Sequence, residues 1–310
     1  TGSGRDIVIG GGGSDYIDAY GSGSSGAAAD GNNLVIGDHG LVDFLAEELL
    51  QGSTANPVNT DDIDRVWSLS PELGGADTIR TGDAHDLVIG GQAGDVINAG
   101  HGKNIVLGDA GQLTSATTDD ALVQIAVHQF TLGEIVSTAF DRGGDDRIDS
   151  GSHDDIVIGG FGADTIDAGH GDNVILGDHG QLLLATNLGQ NAVTDGPRDP
   201  ADHPLTYALI TSLIPAGELG GNDVLTTGIG RDIVLGGAGS DLIDATGSDS
   251  LGTLVGTVVA DRNNLVIGDY GLIDYLSEEL LQSNHPSASL RDYVRSTDPH
   301  ALASGTANPI

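Results

Sequence analysis

The sequence predicts an all-β solenoid, a chain wound into flat stacked coils whose strands run parallel. Three observations predict it: a nine-residue repeat in register, an excess of glycine, and acid supplied almost wholly as aspartate. Glycine is 50 of 310 residues, more than twice the roughly 7% usual in globular domains. Acidic residues number 46 against 11 basic ones, for a formal net charge of −35. Only seven acids are glutamates, Glu47, Glu48, Glu72, Glu134, Glu218, Glu278 and Glu279. Aspartate suits turns, caps and cation ligation, whereas glutamate suits helix surfaces.

Written in rows of nine from Glu72, the chain reads ELGGADTIR, TGDAHDLVI, GGQAGDVIN and AGHGKNIVL. The sixth position holds Asp77, Asp86, Asp95 and then Asn104, and the last three positions form a short apolar-rich triplet. From Asp141 the same register gives Asp146, Asp155, Asp164 and Asn173, and from Glu218 it gives Asp223, Asp232 and Asp241. A displaced fourth row there carries Asn264. The chain opens part-way through a further block, with Asp6, Asp15 and Asn33. Every block leaves through Gly-Asp-x-Gly, at Asp38, Asp109, Asp178 and Asp269, into a non-repetitive stretch, and the first three stretches return through a β-like segment such as 65–69 or 134–138.

Such a row has a definite physical reading. Glycine supplies backbone geometry that other residues resist, and a triplet is too short for a helix but long enough for a strand. Two rows make one 18-residue coil, and stacked coils place strands about 4.8 Å apart. Asp77 then stands beside Asp95, Asp146 beside Asp164, and Asp223 beside Asp241. Two carboxylates at that spacing repel by roughly 1 kcal/mol in water and by several at an effective dielectric near 20. A hard divalent cation reverses the sign, since Ca²⁺ takes six to eight oxygens at about 2.3–2.6 Å from carboxylates and carbonyls.

The rows GGGGSDYID, GGFGADTID and GGAGSDLID resemble the RTX (hemolysin-type calcium-binding) nonapeptide, Gly-Gly-x-Gly-x-Asp-x-apolar-x. The resemblance implies a parallel β-roll that binds several Ca²⁺ ions, with the sixth-position Asp as side-chain ligand and the glycine turn giving carbonyls. It covers the rows, not the intervening stretches. GGQAGDVIN lacks the third glycine, ELGGADTIR and DRGGDDRID shift the glycine pair, and the fourth-row Asn implies weaker or asymmetric sites. The expected metal ligands are therefore Asp6, Asp15, Asp77, Asp86, Asp95, Asp146, Asp155, Asp164, Asp223, Asp232 and Asp241, with Asn33, Asn104, Asn173 and Asn264. Asp38, Asp109, Asp178 and Asp269 in the exit turns complete the set.

The organisation that follows is four roll blocks, at 1–36 (with an inserted loop at 19–27), 72–107, 141–176 and 218–267 (with an inserted loop at 245–258). They alternate with excursions at 37–71, 108–140, 177–217 and 268–310. The first and last blocks are near-copies, as GRDIVIGGGGSDYID and GRDIVLGGAGSDLID show, which predicts one continuous solenoid taken from a longer array. Leu41, Phe44, Leu45 and Leu49 form a helical stripe, repeated at 272–281, so the excursions are expected to carry short helices laid on the solenoid. The segments 121–130 and 205–214 are expected to do the same work. The ten histidines are accounted for by turn positions.

Several functions are excluded. With no basic patch, nucleic-acid binding lacks the cations that displace phosphate counterions. No apolar run reaches the roughly 18 residues of a membrane span, and with no cysteine there is no disulfide framework or thiolate nucleophile. No catalytic constellation has motif support. The expectation is a non-enzymatic, calcium-stiffened structural segment of a large secreted or cell-surface protein, such as an adhesin stalk, surface layer or extracellular filament. Its partners are calcium and other copies of itself, end to end or side by side. The alternatives are an RTX-type module of a secreted carbohydrate-active enzyme, or a module recognising glycan or ice.

Overall fold

Three residues suffice for a strand here because each strand hydrogen-bonds to the coil before it and the coil after it. The computed structural model describes residues 1–21, 30–44, 63–115, 124–125, 130–184, 207–217, 220–247, 264–274 and 293–296. In it the rows form two parallel sheets. The middle sheet runs in the order β1 (Ile7–Ile9), β3 (Leu34–Ile36), β7 (Leu87–Gly91), β9 (Ile105–Asp109), β14 (Ile156–Ile158), β16 (Val174–Leu176), β20 (Ile233–Leu235) and β22 (Leu265–Ile267). The outer sheet runs β2 (Tyr16–Asp18), β6 (Thr78–Arg80), β8 (Val96–Asn98), β13 (Arg147–Asp149), β15 (Thr165–Asp167), β19 (Val224–Thr226) and β21 (Leu242–Asp244). Stacking passes from block to block without a break: Ile36 pairs with Ile89, Val157 with Val106, and Val234 with Ile175.

Which sheet a row joins follows from its triplet. Strand side chains alternate between faces, so a triplet buried on one side needs one apolar residue and a triplet buried on both sides needs three. Rows such as Tyr16-Ile17-Asp18 and Arg147-Ile148-Asp149 bury only the central residue and form the outer sheet. Rows such as Leu34-Val35-Ile36 and Val174-Ile175-Leu176 are buried throughout and form the middle sheet. The central residues of both sheets meet inside the roll, where Val35, Val88, Val106 and Val157 face Ile17, Ile79, Ile97 and Ile148.

The flanking residues of the middle sheet need a second cover, and the excursions supply it as strands. They form an antiparallel sheet of nine strands in the order β24 (Tyr293–Ser296), β23 (Gly271–Asp274), β18 (Tyr207–Ser212), β17 (Gly180–Leu184), β12 (Phe130–Ser137), β10 (Gly111–Ser115), β5 (Arg65–Ser68) and β4 (Gly40–Asp43). The ninth, β11 (Gln124–Ile125), pairs with β12. Each excursion contributes an out-and-back pair, and successive pairs join edge to edge. Val66, Leu113, Leu132, Ile135, Leu182 and Ile210 from this cover sheet share one core with Ile36, Leu87, Leu107, Ile158 and Leu176. The molecule is thus three β-layers with two cores.

The expected helices are a correction. Leu41 to Asp43 and Leu272 to Asp274, the starts of the two stripes, lie in β4 and β23, Phe44 follows β4 in a bend and packs against the core, and residues 45–50 and 275–281 fall outside the described residues. The segment at 121–130 contains β11 and the first residue of β12, and that at 205–214 contains β18. Among the described residues there is no helix, and none long and apolar enough to cross a membrane. The reason is the ready-made partner: the exit turn delivers the chain directly onto the outward face of the middle sheet, where an alternating strand fits. The second glycine of that turn permits the approach, since a Cβ at Gly111 or Gly180 would collide with Leu107 or Leu176.

Candidate metal centre

Each coil turns twice, so the stack has two edges, and the sixth-position residues line both. The first edge holds the turns that lead into the outer sheet. Its ladder is aspartate at every rung: Asp15, Asp77, Asp95, Asp146, Asp164, Asp223 and Asp241. The backbone N–H of each donates to Oδ1 of the next, at 2.7 Å for Asp15 to Asp77, Asp77 to Asp95 and Asp95 to Asp146, and at 2.8–3.0 Å for the rest. The second oxygen, Oδ2, is buried and accepts no hydrogen bond in any of the seven. Among the described residues no lysine or arginine pairs with these carboxylates.

What lies beside Oδ2 is a space too tight for a methyl group. The residue that follows each middle-sheet triplet on this edge, whether first in a row or first in an exit turn, is glycine. A Cβ built at Gly37, Gly90, Gly108, Gly159, Gly177 or Gly236 would sit under 3.0 Å from both a ladder Oδ2 and the carbonyl oxygen of the corresponding glycine one rung on. At Gly90 these two oxygens belong to Asp95 and Gly108; at Gly159 they belong to Asp164 and Gly177. Gly10 repeats the arrangement with Asp15 and Gly37. Two hard oxygens converging on one small space, one of them an unpartnered carboxylate, fit a cation such as Ca²⁺. Among the described residues no three His, Asp or Glu side chains converge on one point, so such a cation draws on carbonyls for its remaining ligands.

The exit aspartates lie on this same edge and have a different task. Asp38 Oδ1 accepts from the N–H of Gly75 at 3.1 Å and Oδ2 from that of Gln92 at 2.5 Å. Asp109 does the same for Gly144 and Phe161, and Asp178 for Gly221 and Ala238. Each therefore ties the returning excursion to the next coil. The returning glycine pair makes room, because a Cβ at Gly74, Gly143 or Gly220 would fall on the exit carboxylate. Asp269 is exposed.

Carboxylates of the first edge resist ionisation. Burial, opposed by the backbone hydrogen bonds and reinforced by neighbouring carboxylates, pushes Asp95, Asp164 and Asp178 up to about 8, Asp223 to about 7 and Asp77 to about 6. Asp109 and Asp146 are held well above the usual carboxylate range by burial, with Asp164 and Asp95 adding to both and Asp109 to Asp146. A site that resists its own negative charge this strongly is one where a cation gains most.

The second edge alternates. Its ladder runs Asp6, Asn33, Asp86, Asn104, Asp155, Asn173, Asp232 and Asn264, linked by the same N–H to side-chain oxygen bonds at 2.6–3.0 Å. The amide nitrogens donate onward to turn carbonyls: Asn104 to Gly100 and Ser150, Asn173 to Gly169 and Gly171, Asn33 to Ala19 and Thr81, Asn264 to Ala245. Burial also raises Asp86 to about 7 and Asp155 to about 8. Histidines lie on both edges. On the second, Ser152 stands between His101 and His170, with its hydroxyl 2.9 Å from His101 Nδ1. His179, in an exit turn, is 1% exposed and bonds the Phe140 carbonyl at 3.0 Å. Solvent-facing turns account for His101 and His170, and a buried latch on the excursion accounts for His179.

Parallel three-residue rungs with a carboxylate at every first-edge turn and a glycine cradle beside it define a calcium-binding β-roll. The model of the RTX calcium-binding nonapeptide repeat matches residues 1–22, 73–94, 80–112, 138–166, 149–181 and 219–249. The chain carries RTX repeats in several copies, and RTX nonapeptide repeats bind multiple Ca²⁺ ions. Comparison with curated proteins and with solved structures returned no match. Sequence reasoning located every sixth-position residue but missed the cradle glycine and the cover sheet. The signals were present, as the first row position and as the alternation of fully apolar with half-polar triplets.

Proposed function

We propose that this chain is a calcium-stiffened structural segment of a large secreted or cell-surface protein, working as a stalk, surface-layer or filament element and not as an enzyme. The observation that carries the reading is the row of buried, unpartnered Oδ2 atoms on the first edge, each sharing a cradle with a glycine carbonyl. A cation bound only by folded coils stabilises them by RT ln(1 + [L]/Kd), about 2.7 kcal/mol per site at a hundred times Kd. Several sites in one stack make folding respond steeply to calcium, which suits a chain that is slack where calcium is scarce and rigid where it is plentiful. The outward face of the outer sheet is not a regular ladder: the first residues of its triplets read Tyr16, Thr78, Val96, Arg147, Thr165, Val224 and Leu242, and the third residues Asp18, Arg80, Asn98, Asp149, Asp167, Thr226 and Asp244. Circular dichroism in millimolar calcium and in calcium-free buffer tests the proposal. β content and melting temperature are expected to rise with calcium; identical spectra and melts in both buffers would sink it.

A further inference from the structure

We propose that cation binding is confined to the first edge, and that the second edge is closed internally by asparagine amides and by the side chain standing where the first edge has its cradle glycine. The proposal rests on the calcium reading above and adds which half of the acidic corners takes part.

The two edges differ first in the residue that follows each strand triplet. On the first edge, after a middle-sheet triplet, it is glycine throughout. On the second it is Ala19, Thr81, Ala99, Ser150, Ala168 and Thr227, none more than 3% exposed. Each of these brings a Cβ to the corner, and a Cβ occupies the space that on the first edge is bounded by two bare oxygens. A cation and that methyl group cannot share one position.

The second difference is chemical. Where the first edge repeats aspartate, the second places an asparagine between aspartates. The Nδ2 groups of Asn104 and Asn173 each donate to two turn carbonyls, at 2.9–3.3 Å. A donor N–H is the neutral counterpart of a metal ion: it satisfies the same carbonyl oxygens, and its positive end repels an arriving cation. Of the intervening carboxylates, Asp155 is closed, its Oδ2 accepting from Ser150 Oγ at 2.8 Å. Asp86 Oδ2 is buried and accepts no hydrogen bond, because the Thr81 hydroxyl donates to the Ala99 carbonyl at 3.1 Å. Along the chain a hydroxyl accompanies aspartate at Ser150 and Thr81, and a methyl accompanies asparagine at Ala99 and Ala168. The case for a closed second edge therefore rests on the asparagine amides and on the Cβ at each corner.

Charge spacing is the third difference. Asp146 on the first edge has carboxylates, Asp95 and Asp164, as its two ladder neighbours. Asp155 on the second has the neutral amides of Asn104 and Asn173 instead. The nearest ladder carboxylate to Asp155 is two rungs away, about 9.6 Å at the strand spacing of a sheet. The repulsion that a bridging cation relieves is built into one edge and diluted on the other.

The test counts calcium bound to the full chain by native mass spectrometry, for the unaltered protein and for two double variants. Asp95→Asn with Asp164→Asn is expected to lose at least two ions, and Asp86→Asn with Asp155→Asn is expected to lose none. Equal losses from both pairs overturn the proposal and leave the calcium reading standing. No calcium on the unaltered chain removes both. Should the first-edge pair fail to fold, terbium anomalous scattering from crystals of the unaltered protein decides: peaks along the first edge alone support the proposal, and peaks along the second overturn it.

Discussion

Ala93 stands at φ 70°, at the fourth row position, where Gly13, Gly162 and Gly239 have φ of 101–125°. This is the row GGQAGDVIN, whose missing third glycine is visible in the sequence, and the structure shows what its absence does: a residue with a Cβ is held in the left-handed region. Left-handed backbone costs an L-residue roughly 1–2 kcal/mol, offset in part by the greater freedom of glycine in the unfolded chain. Ala93→Gly is therefore expected to stabilise the protein by about 1 kcal/mol, read as a higher urea midpoint at unchanged slope; a lower midpoint refutes the strain. The sixth-position residues were equally legible, because one side chain per row performs one repeated bond. The cradle was not, because glycine at the first position reads as a turn former and its use as empty volume appears only when the neighbouring rung is in place.

At the scale of the element, the strands of the roll are readable from their triplets, and the β-like returns at 65–69 and 134–138 form β5 and part of β12, while β4, β11, β18 and β23 read as helices. Leu41, Leu45 and Leu49 have helical spacing, but β4 pairs Val42 with Val66 and Leu41 with Trp67. A tertiary partner overrides a weak periodic signal. The cover sheet carries its own share of the stability. Ile135 in β12 is fully buried against the middle sheet, and Ile135→Ala is expected to cost about 2–5 kcal/mol. Because this core lies between sheets and away from the edges, the cost should be similar with and without calcium in urea denaturation. A loss confined to one condition would mean that the cover sheet and the roll do not unfold as a unit.

For the whole molecule, the raised carboxylates make an unusual prediction about pH. Asp95, Asp155, Asp164 and Asp178 sit at about 8 in the folded chain against an ordinary 3.8. A folded-state value above the unfolded one means that the native state binds more protons. Its contribution to stability is then full below about pH 4 and is lost as pH rises through the interval from about 6 to 8. Without calcium, the melting temperature should fall between pH 5 and pH 8.5. With calcium the fall should shrink or reverse, since the cation requires deprotonated ligands. A calcium-free melting temperature that climbs with pH contradicts the assignment of these carboxylates as buried and uncompensated.

The side-chain ladders also have a direction. Every link runs from the N–H of one rung to the side-chain oxygen of the rung after it, on both edges. The stack is consequently polar, like a row of hooks and eyes: its leading rung offers acceptors and its trailing rung offers donors. Two copies related by a two-fold axis would set like against like, whereas copies translated along the stack would match. Any lengthening of this structure, by more chain or by another molecule, is thereby steered toward an open filament of a single sense and away from a closed symmetric pair.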